Sequence, residues 1–491
     1  MRFKTLAVLV ANASLPYAMS AMAQTAAATD PLKSAVEKAV LTNPDVSARF
    51  HAYRAAIDAV DVARAAYRPR LDLVAAVGRD SSRVDSVTPE TQSIGRSGTA
   101  LTLSQLLWDG LGTQRDVARV GHDRLARYFE LLDTTEQTAL DAARAYHDVQ
   151  RYRRLVELAE DNYVQHKYAS LQIQSRFKAG VGRGVDLEQA NARLALAESN
   201  LGTEVANLHD VTTRYQRIVG EPPPLQLSAV PPLAQALPST PEDAMATAIR
   251  QSPAVSASIE ALRAARSAVQ ARESLYQPRL EARLRAGAGN NFDGVRDQRL
   301  GSTAELVLNW NLYNGGADQA RLRQQVNLVG QAGDLRDKAC RDVRQSTAIA
   351  FNDTRKLVEQ LQLLDRNTVA IEKARDAYRQ QFDIGQRSLL DLLNAENEVY
   401  TAKRAYANAD FDLAIAYLRA QAAMGQLTAQ LGMARTDTAA ADAAGWAVGE
   451  DAPGRCPVVA VQVPTIDRRL LDERARQIAG NLAPPRPAPI R

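Results

Sequence analysis

The chain has 491 residues, of which 24% are charged and 46% hydrophobic, and carries a formal net charge of +4. This composition suits a folded chain rather than a disordered one. The mild charge, with no Lys/Arg block interleaved with aromatics, argues against nucleic acid as a partner. Length alone would suggest roughly three domains, but an internal repeat overrides that prior. Residues Ala35–Asp72 align without a gap onto Ala244–Glu281, and both copies run into a Tyr-x-Pro-Arg-Leu junction, at 67–71 and at 276–280.

At the N-terminus, Arg2 and Lys4 precede an apolar stretch that leads to Ala21-Met22-Ala23. This pattern predicts a signal peptide over 1–23 and export. Nowhere does an apolar run approach the roughly 20 residues that a membrane-spanning helix needs. An exported bacterial chain of this kind is periplasmic, secreted, or a β-barrel of the outer membrane. The cysteines are Cys340 and Cys456. An oxidising compartment permits a bridge between them, but the sequence does not supply their separation.

The first repeat, 24–219, opens with a helix over 31–66 that ends before Pro69, because proline disfavours helix at the residue before it. A hairpin follows over 70–107. Leu71, Leu73, Ala75 and Val77 form one face, and Leu101 and Leu103 continue it, opposite Thr102 and Ser104. Strands of about ten residues, apolar on one face, suit a wall between lipid and water. Arg79–Ser97 reads as a long polar loop. A helix over 112–178 comes next. Apolar residues recur there by threes, fours and one seven, the spacing of a supercoil. About 65 residues at about 1.5 Å each make roughly 100 Å, the wall of a tube or rod rather than part of a compact core. After a Gly-rich turn, a helix over 185–219 returns, and a Pro-rich linker over 220–240 joins the halves.

The second repeat, 241–432, follows the same order: a helix over 241–275, a hairpin over 279–312, a long helix over 316–383 and a returning helix over 388–431. Leu280, Ala282, Leu284 and Ala286 face one way, and Glu281, Arg283 and Arg285 the other. Gly289–Gly301 reads as a second polar loop. Trp108, Trp310 and Tyr313 fall at strand ends, where an interfacial aromatic belt would lie. The tail over 433–491 reads as mostly flexible, with one helical stretch near 466–478.

Four strands cannot close a barrel, and open edges are not viable in a bilayer. Strands that span a membrane therefore require oligomerisation, and three copies make twelve strands. Catalytic readings fail. The five histidines lack ligand spacing such as His-x-x-x-His, Gly287-x-Gly289 opens a polar loop rather than a helix, and there is no Gly-x-Ser-x-Gly. No enzyme, cofactor or metal centre is expected.

Three duplicated motifs identify a family. They are the Tyr-x-Pro-x-Leu junctions, the Leu-x-Leu-x-x-x-Leu-[Trp/Tyr]-[Asp/Asn]-Gly strand ends at 101–110 and 306–315, and the Phe-x-x-Gly…Asp-Leu turns at 177–187 and 382–392. Over 31–432 the chain resembles the TolC family of outer-membrane channel-tunnel proteins. The resemblance implies an α+β membrane protein and a homotrimer. A twelve-stranded transmembrane β-barrel would sit in outer-membrane lipid, continued by an α-helical tunnel into the periplasm. It implies a passive exit duct working with a periplasmic adaptor and an inner-membrane ABC transporter or proton-driven pump. The cargo would be an exported protein, in type I secretion, or a drug, in multidrug efflux. A soluble periplasmic coiled-coil scaffold or adaptor is the alternative from another class. It would need one coiled-coil hairpin rather than two and does not explain the alternating strands.

The resemblance also implies a periplasmic constriction. Asp391 matches a carboxylate that rings the pore, and Asn394 stands where a second would be. Arg387 matches a basic residue that holds the coiled coils shut, and Asp186 its acidic partner. Phe382 replaces a tyrosine hydroxyl. A ring of Asp391 carboxylates would bind blocking cations. The same residues suit capping: Ser388-x-x-Asp391 resembles a capping box, and Asp186 sits at a helix start, where a carboxylate suits the dipole.

Overall fold

A computed structural model describes residues 31–83, 91–235, 237–433, 456–458 and 467–482. The signal-peptide assignment, 1–23, lies outside them.

Each repeat begins with two helices where the sequence suggested one. α1 (Pro31–Thr42) and α2 (Pro44–Arg64) meet at Asn43, and α5 (Pro241–Gln251) and α6 (Pro253–Glu273) meet at Ser252. Pro44 and Pro253 lack the amide that would continue the preceding helix, but they suit the first turn of the next. Asn43 and Ser252 cap those turns by accepting from Asp45 N and Val255 N. Both α2 and α6 end in a 3-10 turn, Ala65–Tyr67 and Ser274–Tyr276. Arg68 and Gln277 are then extended before Pro69 and Pro278.

The strands β1 (Arg70–Arg83), β2 (Thr91–Trp108), β3 (Arg279–Asn290) and β4 (Leu300–Asn309) form one antiparallel sheet in the order β1-β2-β3-β4. The first hairpin is longer than expected. β1 and β2 have 14 and 18 residues and pair as far as Arg83–Thr91, so much of the supposed loop 79–97 is strand. β4 stops at Asn309, short of the expected 312. The register aligns Leu71 with Leu103, Leu103 with Leu284, and Leu284 with Ala304. One face is therefore apolar and largely exposed, as at Leu71, Leu73, Val77, Leu306 and Leu308. The other face carries the ion pairs Arg70–Asp72, Arg96–Asp80, Arg283–Glu305 and Arg285–Asp293.

The repeated [Asp/Asn]-Gly motifs turn strand into helix. Asp109 Oδ2 accepts from Thr113 N at 2.7 Å and from Thr113 Oγ1 at 2.6 Å; Asn314 Oδ1 accepts from Asp318 N at 3.3 Å. Gly110 has φ +64°, and a Cβ there would meet Gln277 Cβ at 2.5 Å, so the two repeats touch where a side chain would not fit. From these corners run α3 (Gly112–Lys178) and α7 (Ala317–Asp383), 67 residues each and so about 100 Å long. α4 (Gly184–Val219) and α8 (Leu389–Ala423) return antiparallel to them. α8 ends at Ala423, short of the expected 431, because Gly425 turns the chain at φ +66° into the short α9 (Leu427–Gln430).

Buried side chains form separate clusters along this length. The largest joins α1, α3, α4, α8 and α9 around Val36, Tyr146, Tyr215 and Leu418. Another closes the far tip around Ile173, Ala190, Phe382 and Leu393. A third holds Cys340 of α7 and Cys456, which are bonded (Cα–Cα 5.5 Å), among Met245, Ile249, Val255 and Ile259. The tail is therefore not wholly loose. It is anchored at Cys456, and Arg344 donates to Pro457 O at 3.1 Å. Beyond it, α10 (Arg468–Leu482) replaces the stretch expected near 466–478.

Candidate pore-lining faces and periplasmic tip

The two tip turns are built differently. After α3, Gly180 adopts φ +76°, and Val181 N and Gly182 N both donate to Arg176 O. A Cβ on Gly182 would lie 2.7 Å from Phe177 N, so this turn closes only with glycine. After α7, Gly385 takes φ +77°, and the next residues cap a helix instead. Ser388 Oγ accepts from Asp391 N at 3.2 Å and donates to Asp391 Oδ2 at 2.9 Å. The capping motif legible in Ser388-x-x-Asp391 thus forms, with a carboxylate in the first turn, where the helix dipole favours it.

Arg387 is occupied on its own hairpin. It donates to Gln381 Oε1 at 2.9 Å, lies 3.8 Å from Asp391 Oδ2 and sits 4.7 Å above the Tyr378 ring. Among the described residues no ion pair joins it to Asp186, which stands partly exposed in the first turn of α4. Asn394 Oδ1 accepts from Arg193 at 2.7 Å, which ties α8 to α4. Phe382 is buried in the tip core with the Arg176 guanidinium 5.1 Å from its ring centre. A hydroxyl at that position would have to be accommodated inside packing.

Just above lies a polar network that sequence inspection missed. Glu396, only 5% exposed, accepts from Arg375 at 3.0 Å and Arg379 at 2.7 Å, and Arg379 also donates to Gln165. His166 is buried beside it. Burial pushes its pKa down, Glu396 pulls it up, and Arg193 pushes it down again. These partners come from α3, α4, α7 and α8, so no local spacing announces them. Higher up, burial holds His147 at a pKa of about 4. Among the described residues no His/Cys/Asp/Glu group could hold a metal, and no helix is long and apolar enough to cross a membrane.

Trp108 ends β2 and is half exposed. Trp310 follows β4 and donates its indole N–H to Tyr276 O at 3.1 Å; Tyr313 is exposed. Trp108 thus stands at the helix-proximal end of β2, and Trp310 and Tyr313 lie between β4 and α7.

A sheet with one apolar and one charged face, fused to paired helices about 100 Å long, defines an outer-membrane channel with a helical extension into the periplasm. The chain belongs to the outer membrane efflux protein family, whose model matches residues 35–218 and again 244–426, one match per repeat. It is similar to the outer membrane efflux protein BepC of Brucella suis biovar 1, at 28% identity over 434 residues covering 88% of this chain and 93% of BepC. It is also similar to the alkaline protease secretion protein AprF of Pseudomonas aeruginosa, at 24% identity over 398 residues covering 78% and 81%. The solved outer-membrane channel OprN superposes with a TM-score of 0.73 at 21% identity, over 80% of this chain and 90% of that one. The expected TolC-family fold is therefore present. The protein resides in the bacterial outer membrane with its helical part in the periplasm, which sets aside a soluble scaffold. Family and fold are those of passive channels.

Proposed function

We propose that three copies of this chain form a continuous exit duct, serving a periplasmic adaptor and an inner-membrane pump in type I protein secretion. The observation that carries the trimer is the open sheet. β1 and β4 each present an unpaired edge beside an apolar face, and such edges are not viable in lipid unless another copy pairs with them. Joining β4 of one copy to β1 of the next closes twelve strands, with the Arg/Asp/Glu face turned to water. The pseudo-repeat then supplies two helical hairpins per chain, six in all, to the tunnel wall. At the tip, Asp391 forms a ring of three carboxylates, and Asn394 leaves the next turn neutral. Arg387 restrains the Asp391 hairpin.

The similarity to AprF, a secretion protein, supports an exported protein as cargo. Small-molecule efflux is the second reading, favoured by the high coverage of BepC, which is named an efflux protein. The test is a clean deletion strain. Unheated gels of outer membranes from the complemented strain should show an SDS-resistant trimer. Loss of one or more secreted proteins on deletion, with drug susceptibility unchanged, is the expected result. Hypersensitivity to drugs with an intact secretome would replace secretion by efflux, and a monomer in the soluble fraction would overturn the duct.

A further inference from the structure

The connection between β3 and β4 does not project beyond the strands. It folds back over the charged face of the sheet. Phe292 N donates to Gln298 O at 2.9 Å, Asp297 N to Asn291 Oδ1 at 2.9 Å, and Asn291 Nδ2 to Gly95 O at 2.7 Å. Both Arg285 Nη atoms donate to the Asp293 carboxylate at 2.8 Å, and the same guanidinium lies 5.2 Å from the centre of the Phe292 ring.

Phe292 is the anomaly. It is 6% exposed, although it lies on the face that carries the ion pairs. Glycines make room for it. A Cβ on Gly98 of β2 would lie 2.8 Å from Phe292 Cδ2, and one on Gly301 of β4 would lie 3.1 Å from Cε1. On Gly287 of β3 a Cβ would overlap the ring outright. Gly287 pairs with Gly301, and Gly98 with Gly289, which places these glycines in neighbouring rows of the same face. Glycine weakens a strand and often marks a close approach by another group. Here three adjacent strands give up side chains on one face, and a single aromatic ring fills the space.

We propose that the loop 291–299, seated by Phe292 in this glycine cradle and fastened by Arg285–Asp293, is a constriction at the outer end of the pore that limits the size of what passes. The proposal rests on the trimeric barrel put forward above. Twelve strands spaced about 4.8 Å and tilted about 40° enclose a backbone diameter of about 24 Å. A segment packed face-on to a sheet reaches inward by up to about 10 Å. Three such loops occupy most of that bore.

The test uses the full-length chain in intact cells. The two native cysteines are bonded to each other, so an introduced thiol is the reporter. Glu305→Cys places it on the charged face of β4, four positions below Gly301 and so about 13 Å deeper. A small charged maleimide added from outside should label this thiol alike in every variant. A polyethylene-glycol maleimide of about 5 kDa should label it about tenfold faster once the loop is released, as expected when side chains set a pore's width. Phe292→Ala removes the ring. Gly287→Val leaves the ring but fills its seat, so it should act in the same direction and guards against an effect peculiar to the alanine variant. Trimers on unheated gels with equal large-reagent labelling in all variants would overturn the constriction alone. Absence of the trimer in the parent would overturn the duct reading and this one with it.

Discussion

Replacing Cys456 by serine tests the anchoring of the tail. The bond to Cys340 closes a loop with a sequence separation of 116. Confining that much chain in the unfolded state is worth about 5 kcal/mol on the loop-entropy account. Unfolding entropy near 2.1 cal/mol/K per residue amounts to about 1 kcal/mol/K for a chain of this size, so the melting temperature should fall by about 5 °C. Purified protein in detergent would be melted with and without reductant, following far-UV circular dichroism, and its thiols counted under non-reducing denaturation. The parent should show no free thiol and a melting point that reductant lowers. Cys456→Ser should melt low in both conditions. Two titratable thiols in the unreduced parent, or a melting point indifferent to reductant, would refute the reasoning.

The proposed ring of Asp391 carboxylates predicts that Asp391→Ala abolishes block of single-channel current by trivalent cations, and unchanged block in planar bilayers would sink it. Glu396→Ala leaves Arg375 and Arg379 without their shared buried carboxylate. It should cost about 3–5 kcal/mol, read as earlier thermal dissociation of the helical region. His147 has a folded-state pKa of about 4 against an ordinary 6.5, because burial disfavours its charged form. The unfolded chain therefore binds the extra proton first as pH falls. Stability is full above about pH 6.5 and is lost between there and about pH 4, by about 3 kcal/mol from this residue. His147→Gln should flatten the pH dependence of melting in that window; an unaltered slope would count against the assignment.

Much of this architecture is local and therefore legible in the sequence. Period-two alternation marked the strand of Leu280–Ala286, because neighbouring side chains must face lipid and water in turn. Ser388-x-x-Asp391 announced a helix start, because a cap needs its acceptor within a few residues. The duplication foretold two hairpins and two pairs of long helices. The proline breaks at Asn43–Pro44 and Ser252–Pro253 were equally visible, but the helical periodicity around them hid them.

Only the tertiary structure decided the rest, because those contacts join residues far apart in sequence. It paired Cys340 with Cys456, gathered Glu396, Arg375, Arg379 and His166 from three helices, and buried Phe382 in the tip core. It bonded Arg387 to Gln381 of its own hairpin. It also turned what read as a plain polar loop after Gly289 into a segment folded across the sheet. That fold depends on glycines from three strands meeting under one phenylalanine, and no spacing along the chain encodes such a meeting.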